Sequence, residues 1–259
     1  MPIRELSLRR WRRQGRISPL VGLVLAAASW APVFAADPPP SRLPLAQTAP
    51  LLPDGLYTAN DQLLLYIDHF QGQVRLKFAD KGEVFYLTNE PGALGGRVLK
   101  YDTGDVALQV AGWGGATLYT QEFKGGVPLD LSDVTDDLTP DPIPPGELRN
   151  FALMCAESLA HDDFAISFAA DWNGLAHSDS TRTLAVDAIR NAAFALDQAA
   201  KGPKRPAISE RLHLVRVMSA ARPGVSMQNG ALVIEYAPQD GVGARPSSLM
   251  IGRVLEAAF

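Results

Sequence analysis

A single cysteine, Cys155, occurs in 259 residues. An intramolecular disulfide is therefore excluded, and with it the small secreted scaffolds that depend on several of them. Familiar catalytic signatures are missing too. There is no G-x-S-x-G elbow, no H-E-x-x-H pair, no G-x-G-x-x-G after a strand and no Walker loop. The four histidines, His69, His161, His177 and His213, stand singly. Positive charge is not in excess, at 24 Lys+Arg against 28 Asp+Glu, which argues against a nucleic-acid partner. The longest apolar run, Leu20 to Ala31, has only twelve residues. As a helix it would span about 18 Å, against about 30 Å of bilayer hydrocarbon, so a permanent membrane span is not expected. What remains is globular: 47% hydrophobic and 20% charged, with enough chain to bury a core.

The apolar run does have a context. Six arginines (Arg4, Arg9, Arg10, Arg12, Arg13, Arg16) precede it, and Val33-Phe34-Ala35-Ala36 closes it with small residues. A basic start, a short apolar stretch and a small-residue stop are the three parts of a secretory signal peptide. Residues 1–36 are read as a Sec signal peptide cleaved near Ala35 or Ala36, giving a periplasmic or secreted protein. Removing them takes away six arginines and one glutamate, leaving 18 basic and 27 acidic residues, a net charge of −9. The mature chain is expected to be soluble, with no membrane span.

Residues 37–53 carry six prolines and no periodicity, and read as an extended tether. From 54 to 126 the texture is of short strands: Leu63–Ile67, Val74–Phe78, Glu83–Leu87, Arg97–Tyr101, Val106–Val110 and Ala116–Thr120. Glycine-bearing turns such as Gln71-Gly72, Lys81-Gly82 and Thr103-Gly104-Asp105 separate them. Val74, Leu76 and Phe78 alternate with Arg75 and Lys77, so one face should be buried and the other wet. This spacing predicts an antiparallel β-meander curled into a small barrel or sandwich.

Residues 127–145 (VPLDLSDVTDDLTPDPIPP) are acidic and proline-rich and read as a linker. The carboxylates crowd together, but the spacing of a calcium loop is absent. Residues 146–259 mix helix and strand. Helices are expected over Glu147–Ala160, from a Ser180 cap to Ala200, and from Pro246-Ser247-Ser248 to Ala257. Strands are expected at Phe164–Phe168, Arg211–Met218 and Ala231–Tyr236, the last after a Gln228-Asn229-Gly230 turn. The fold class is therefore α+β: the β-meander first, then helices packed on a small sheet.

Five residues stand out as candidate binding positions. Trp113, framed by Gly112, Gly114 and Gly115, is either an exposed recognition residue or the packed centre of a bulge. Asp171 and Trp172 leave a strand end, where they either line a cleft or cap a turn and cover the core. Arg245, in Gly241-Val242-Gly243-Ala244-Arg245 before a helix start, suits an anion site or an ordinary capped loop. Arg97 opens a strand after Gly95-Gly96. His161-Asp162-Asp163 and the His177, Asp179, Ser180 group hold acid–base residue types without a defining spacing. Cys155 sits on an apolar helical stripe, as an inert thiol would.

The GLY opening at Gly55–Tyr57, EVFYL, GGRVLKYDTGD, GGATLYT, the strand-plus-DW at Phe164–Trp172 and GVGARPSS resemble a proteobacterial family of exported proteins, domain-of-unknown-function family 4908. The resemblance covers most of residues 54–256 and implies no activity, cofactor or catalytic residue. Gly95-Gly96-Arg97-Val98, followed by a Trp–Gly strand, is more distantly similar to the recognition loop of periplasmic lysozyme inhibitors of the membrane-bound C-type class. The serines of that loop and the cysteines of those barrels are absent here. The expected function is a non-catalytic envelope binding or interaction module without cofactor or metal, whose partner is an envelope protein or a small ligand. The alternatives are an inhibitor of a cationic hydrolase such as lysozyme, and a hydrolase built on His161, Asp162 or Asp171.

Overall fold

Alternation of apolar and polar residues organises the first half of the chain. The computed structural model describes residues 52–60, 62–134, 138–139, 141–161 and 164–259. The signal-peptide reading and all but the last two residues of the tether lie outside the described residues, as do Asp136, Asp137, Asp162 and Asp163. Eight strands follow one another: β1 (Gly55–Ala59), β2 (Leu63–Phe70), β3 (Gln73–Phe78), β4 (Phe85–Pro91), β5 (Arg97–Lys100), β6 (Val106–Val110), β7 (Ala116–Leu118) and β8 (Val127–Asp133). Each pairs antiparallel with the next, and β1 pairs antiparallel with β8, so the meander is a closed barrel. An even number of up-and-down strands presents the first and last in opposite directions, which is the condition for that closure. Closing the sheet leaves no unpaired edge.

The strands read from the sequence become β2 to β7. The two that close the barrel come from the segments on either side. β8 lies in the stretch expected to open the acidic linker, yet Val127 and Leu129 point inward and are buried, while Pro128 and Asp130 face out. Leu52, at the end of the expected tether, is buried in the barrel core, and the Tyr57 hydroxyl donates to the Pro53 carbonyl at 2.6 Å. The interior is filled by Leu65, Ile67, Leu76, Leu99, Leu108 and Leu118, all fully buried. That is the filling an eight-stranded barrel accommodates.

One expectation about β3 is overturned. Arg75, assigned to a wet face, is 1% exposed. It does point outward, opposite Asp68 of β2. Chain beyond β8 crosses over the pair: the Leu138 N–H donates to Asp68 at 3.0 Å, and Arg75 donates to the Thr139 hydroxyl at 3.0 Å. A guanidinium covered in this way stays charged by facing a carboxylate, and Arg75 does so through two donors, its Nε lying 2.7 Å from Asp68.

The second half holds α1 (Leu148–Ala160), β9 (Ser167–Ala169), α2 (Trp172–Leu175), α3 (Asp179–Ala200), α4 (Arg205–Arg211), β10 (Leu214–Ser219), β11 (Gly224–Gln228), β12 (Ala231–Tyr236) and α5 (Ser248–Ala258). The sheet order is β11-β12-β10-β9, with β10 parallel to both neighbours and β11 antiparallel to β12. At the hairpin between β11 and β12, Asn229 and Gly230 both have positive φ (50° and 76°), the requirement of a type I′ turn. Helix α3 crosses this core with Ala185, Ala188, Ile189, Ala192 and Leu196 fully or nearly fully buried. Its N-cap is Ser178 rather than Ser180: the Ser178 hydroxyl accepts the Thr181 N–H. Helix α4 occupies residues expected to be loop running into a strand; the strand begins three residues later than expected, at Leu214.

Candidate functional site

The up-and-down course of the barrel gives it two distinct ends. The β4–β5 and β6–β7 loops share one end; the β3–β4 and β5–β6 connections share the other. At the first end the chain places Leu94 and Trp113, which are 85% and 81% exposed. Their loops are pressed together. A β-carbon on Gly112 would lie 2.3 Å from the Leu94 carbonyl oxygen, and one on Gly96 would lie 2.4 Å from that of Val110. Only glycine permits backbones this close. Hydrogen bonds fix each loop internally, Gly92 N–H to Gly96 O and Ala111 N–H to Gly115 O.

Leu94 also has φ of 52°. The left-handed region costs a bulky L-residue about 1 kcal/mol or more, and burial usually compensates. Here the side chain buries almost nothing. Arg97, at the start of β5, is exposed at the same end, opposite Val110. Trp113 and Arg97 of the five candidates are thus brought to one end of the barrel. Leu94 is the residue the sequence reading missed; its signal was an apolar side chain inside the glycine-rich Pro91-Gly92-Ala93-Leu94-Gly95-Gly96.

The opposite end carries Arg245. It is 4% exposed, donates to the Val84 carbonyl at 2.7 Å and lies over the Tyr86 ring at 4.9 Å. Gly243 makes room for that stack, since a β-carbon there would be 2.7 Å from the ring. The start of α5 beside Arg245 is occupied by the barrel's own carboxylates. Asp102 accepts from the Ser247 N–H at 2.7 Å and the Ser247 hydroxyl at 2.6 Å, and Glu83 accepts from the Ser248 N–H at 2.8 Å. The donors that would hold an external anion are taken up by the barrel's own carboxyl groups.

Asp171 and Trp172 lie apart from both ends. The Asp171 carboxylate caps the four-residue α2 by accepting the Gly174 N–H at 3.0 Å, and Trp172 packs on the second core. A shallow groove of about 340 Å³ between α1 and β9 is lined by Leu153, Ala156, Glu157 and Ile166, and neither Asp171 nor Trp172 borders it. Asp179, near His177 and Ser180, is engaged by the Arg182 guanidinium at 2.5 Å. Cys155 is half-buried, and burial pushes its thiol up to about 11, the reverse of an activated thiolate. Among the described residues, no three His, Cys, Asp or Glu side chains converge as a metal site, and no helix is long and apolar enough to cross a membrane.

Residues 42–255 match the family model described as a domain of unknown function, DUF4908, and the chain belongs to that family. Comparison with curated proteins and with solved structures returns no match.

Proposed function

We propose that this member of the DUF4908 family is an exported, non-catalytic interaction module of the cell envelope, and that it engages its partner with the barrel end bearing Leu94 and Trp113. The observation that carries the reading is Leu94. A leucine held in the left-handed region at 85% exposure costs the fold energy and returns no burial. Beside it stands an indole that is also solvated, on a loop locked by glycine contacts. Large apolar side chains on rigid loops lose little entropy when a partner buries them, which is how a few residues dominate an interface. The signal-peptide pattern of residues 1–36 supports export, and the partner is accordingly an envelope component with an apolar cleft.

A second reading, inhibition of a cationic hydrolase such as lysozyme, is favoured by charge. The chain beyond residue 36 is at −9, and Asp130 and Asp133 are exposed on β8. Binding of that kind weakens steeply as salt rises, whereas burial of Trp113 and Leu94 in an apolar cleft does not. Trp113 and Trp172 are the only tryptophans after residue 36, so a Trp172→Phe variant reports on Trp113 alone. A blue shift of its emission on partner addition, retained at high salt, supports the first reading. Loss of the shift with salt supports the second. An unchanged emission spectrum in a confirmed complex removes Trp113 from either.

A further inference from the structure

Two carboxylates from the barrel meet the N-terminus of one helix. Glu83, in the β3–β4 connection, is 2% exposed, and its oxygens accept the Ser248 N–H and the Ser248 hydroxyl of α5. Asp102, in the β5–β6 connection, takes the N–H and hydroxyl of Ser247. Tyr101 faces Glu83 from the barrel side, and Asp105 as well. The facing cation is Arg245, and it is poorly placed to neutralise both Glu83 and Asp102. Its Nη2 donates to a carbonyl, while its Nε, buried without a hydrogen-bond partner, is 3.5 Å from Asp187 of α3. Asp187 is itself paired with Arg190 at 2.7 Å. Glu83 is therefore a carboxylate out of water whose bonds come from Ser248 rather than from a guanidinium, with the exposed Asp102 adding negative charge beside it, and a proton is the simplest way to balance it.

We propose that this junction is a proton-operated latch: protonated Glu83 holds the start of α5 against the barrel, and ionised Glu83 releases it. The hydrogen bonds as they stand favour the ionised form, and they can be kept on protonation. One oxygen goes on accepting the Ser248 N–H, while the acid O–H turns to the Ser248 hydroxyl oxygen. Opening restores water to Glu83 and the helix end together.

Burial is the main cause lifting the Glu83 carboxyl to about 7, and Asp102 adds to it; the Ser248 bonds and Arg245 pull the other way. A group raised in the closed state contributes fully below its open-state value, and that contribution fades as pH climbs through the closed-state value. For Glu83 the window runs from about 4.5 to about 7. Across it the opening equilibrium rises about tenfold per pH unit, roughly 300-fold in all, and then levels off.

The test is made on the whole chain by NMR. The Glu83 carboxyl carbon is titrated, and exchange of the Met250 and Ile251 amides is followed from about pH 5 to about pH 8, as protection relative to intrinsic rates. The latch requires a Glu83 midpoint near 7 that falls in Asp102→Asn, with protection dropping across the same range. It also requires Glu83→Gln to make that protection independent of pH. A Glu83 midpoint near 4.5 overturns the proposal. So does an unaltered pH dependence of protection in Glu83→Gln. Should that variant fail to fold, the wild-type titration and Asp102→Asn decide the matter.

Discussion

The Leu94 carbonyl oxygen occupies the space beside Gly112 where any other residue would place its β-carbon, 2.3 Å away. That contact joins the β4–β5 loop to the β6–β7 loop and fixes Leu94 and Trp113 on the same end of the barrel. Gly112→Ala must push the loops apart, because the obstructing atom is backbone and cannot rotate aside. The expected cost is about 1–3 kcal/mol in urea unfolding, with amide shift changes reaching Leu94 and Gly96 across the contact.

Leu94 separates folding from recognition. Leu94→Asn replaces a residue that tolerates the left-handed region poorly with one that accepts it, and removes almost no burial. Stability is expected to be unchanged or to rise by roughly 0.5–1 kcal/mol, while partner affinity falls at least tenfold. A thermal melt together with a binding isotherm checks both. Equal losses in the two would mean that Leu94 serves the fold.

The covered pair on β2 and β3 makes a third prediction. Asp68→Ala leaves Arg75 buried beside a lost carboxylate and should cost about 3–5 kcal/mol. Replacing both, as Asp68→Leu with Arg75→Met, should recover most of that loss. Denaturant unfolding of the single and double variants measures the difference, and a double variant no better than Asp68→Ala would contradict it.

Gly243 gives a fourth. Its missing side chain is the space in which the Tyr86 ring lies, with Arg245 stacked on the ring. Gly243→Ala should displace the ring and lower stability by about 1–3 kcal/mol, read from the unfolding midpoint. The Leu94–Trp113 end should keep its amide shifts, since it lies at the far end of the barrel.

Much of this architecture is written in local pattern. Strands β2 to β7 announce themselves through alternation and glycine turns, and the Asn229-Gly230 hairpin through residue types that suit its dihedrals. β8 hides because its outward positions hold Pro128, Asp130 and Ser132, which make a strand with two inward apolar residues look like a linker. The burial of Arg75 depends on chain that returns from residues 138–139, and no local period encodes a crossing at that distance. The α5 junction is more remote still: Glu83 and Ser248 are 165 positions apart. Arg245 was visible as a residue near a helix start. The carboxylates that fill that start were not, because pairing across two halves of a fold leaves no mark in either segment. At the other end, the glycines leave Trp113 either exposed or packed, and the structure exposes it; Leu94 carries no comparable mark because its conformation is a positive φ that sequence reading does not supply.

The central claim is that the Leu94–Trp113 end is the recognition face. A photo-crosslinking amino acid placed at position 113 in the producing cell tests it most directly, with the exposed Lys124 in the β7–β8 connection, at the other end of the barrel, as the comparison site. The account predicts one discrete adduct from position 113 that is absent from position 124 and lost when Leu94→Asn is added. No adduct from 113, or the same adduct from both positions, would contradict it.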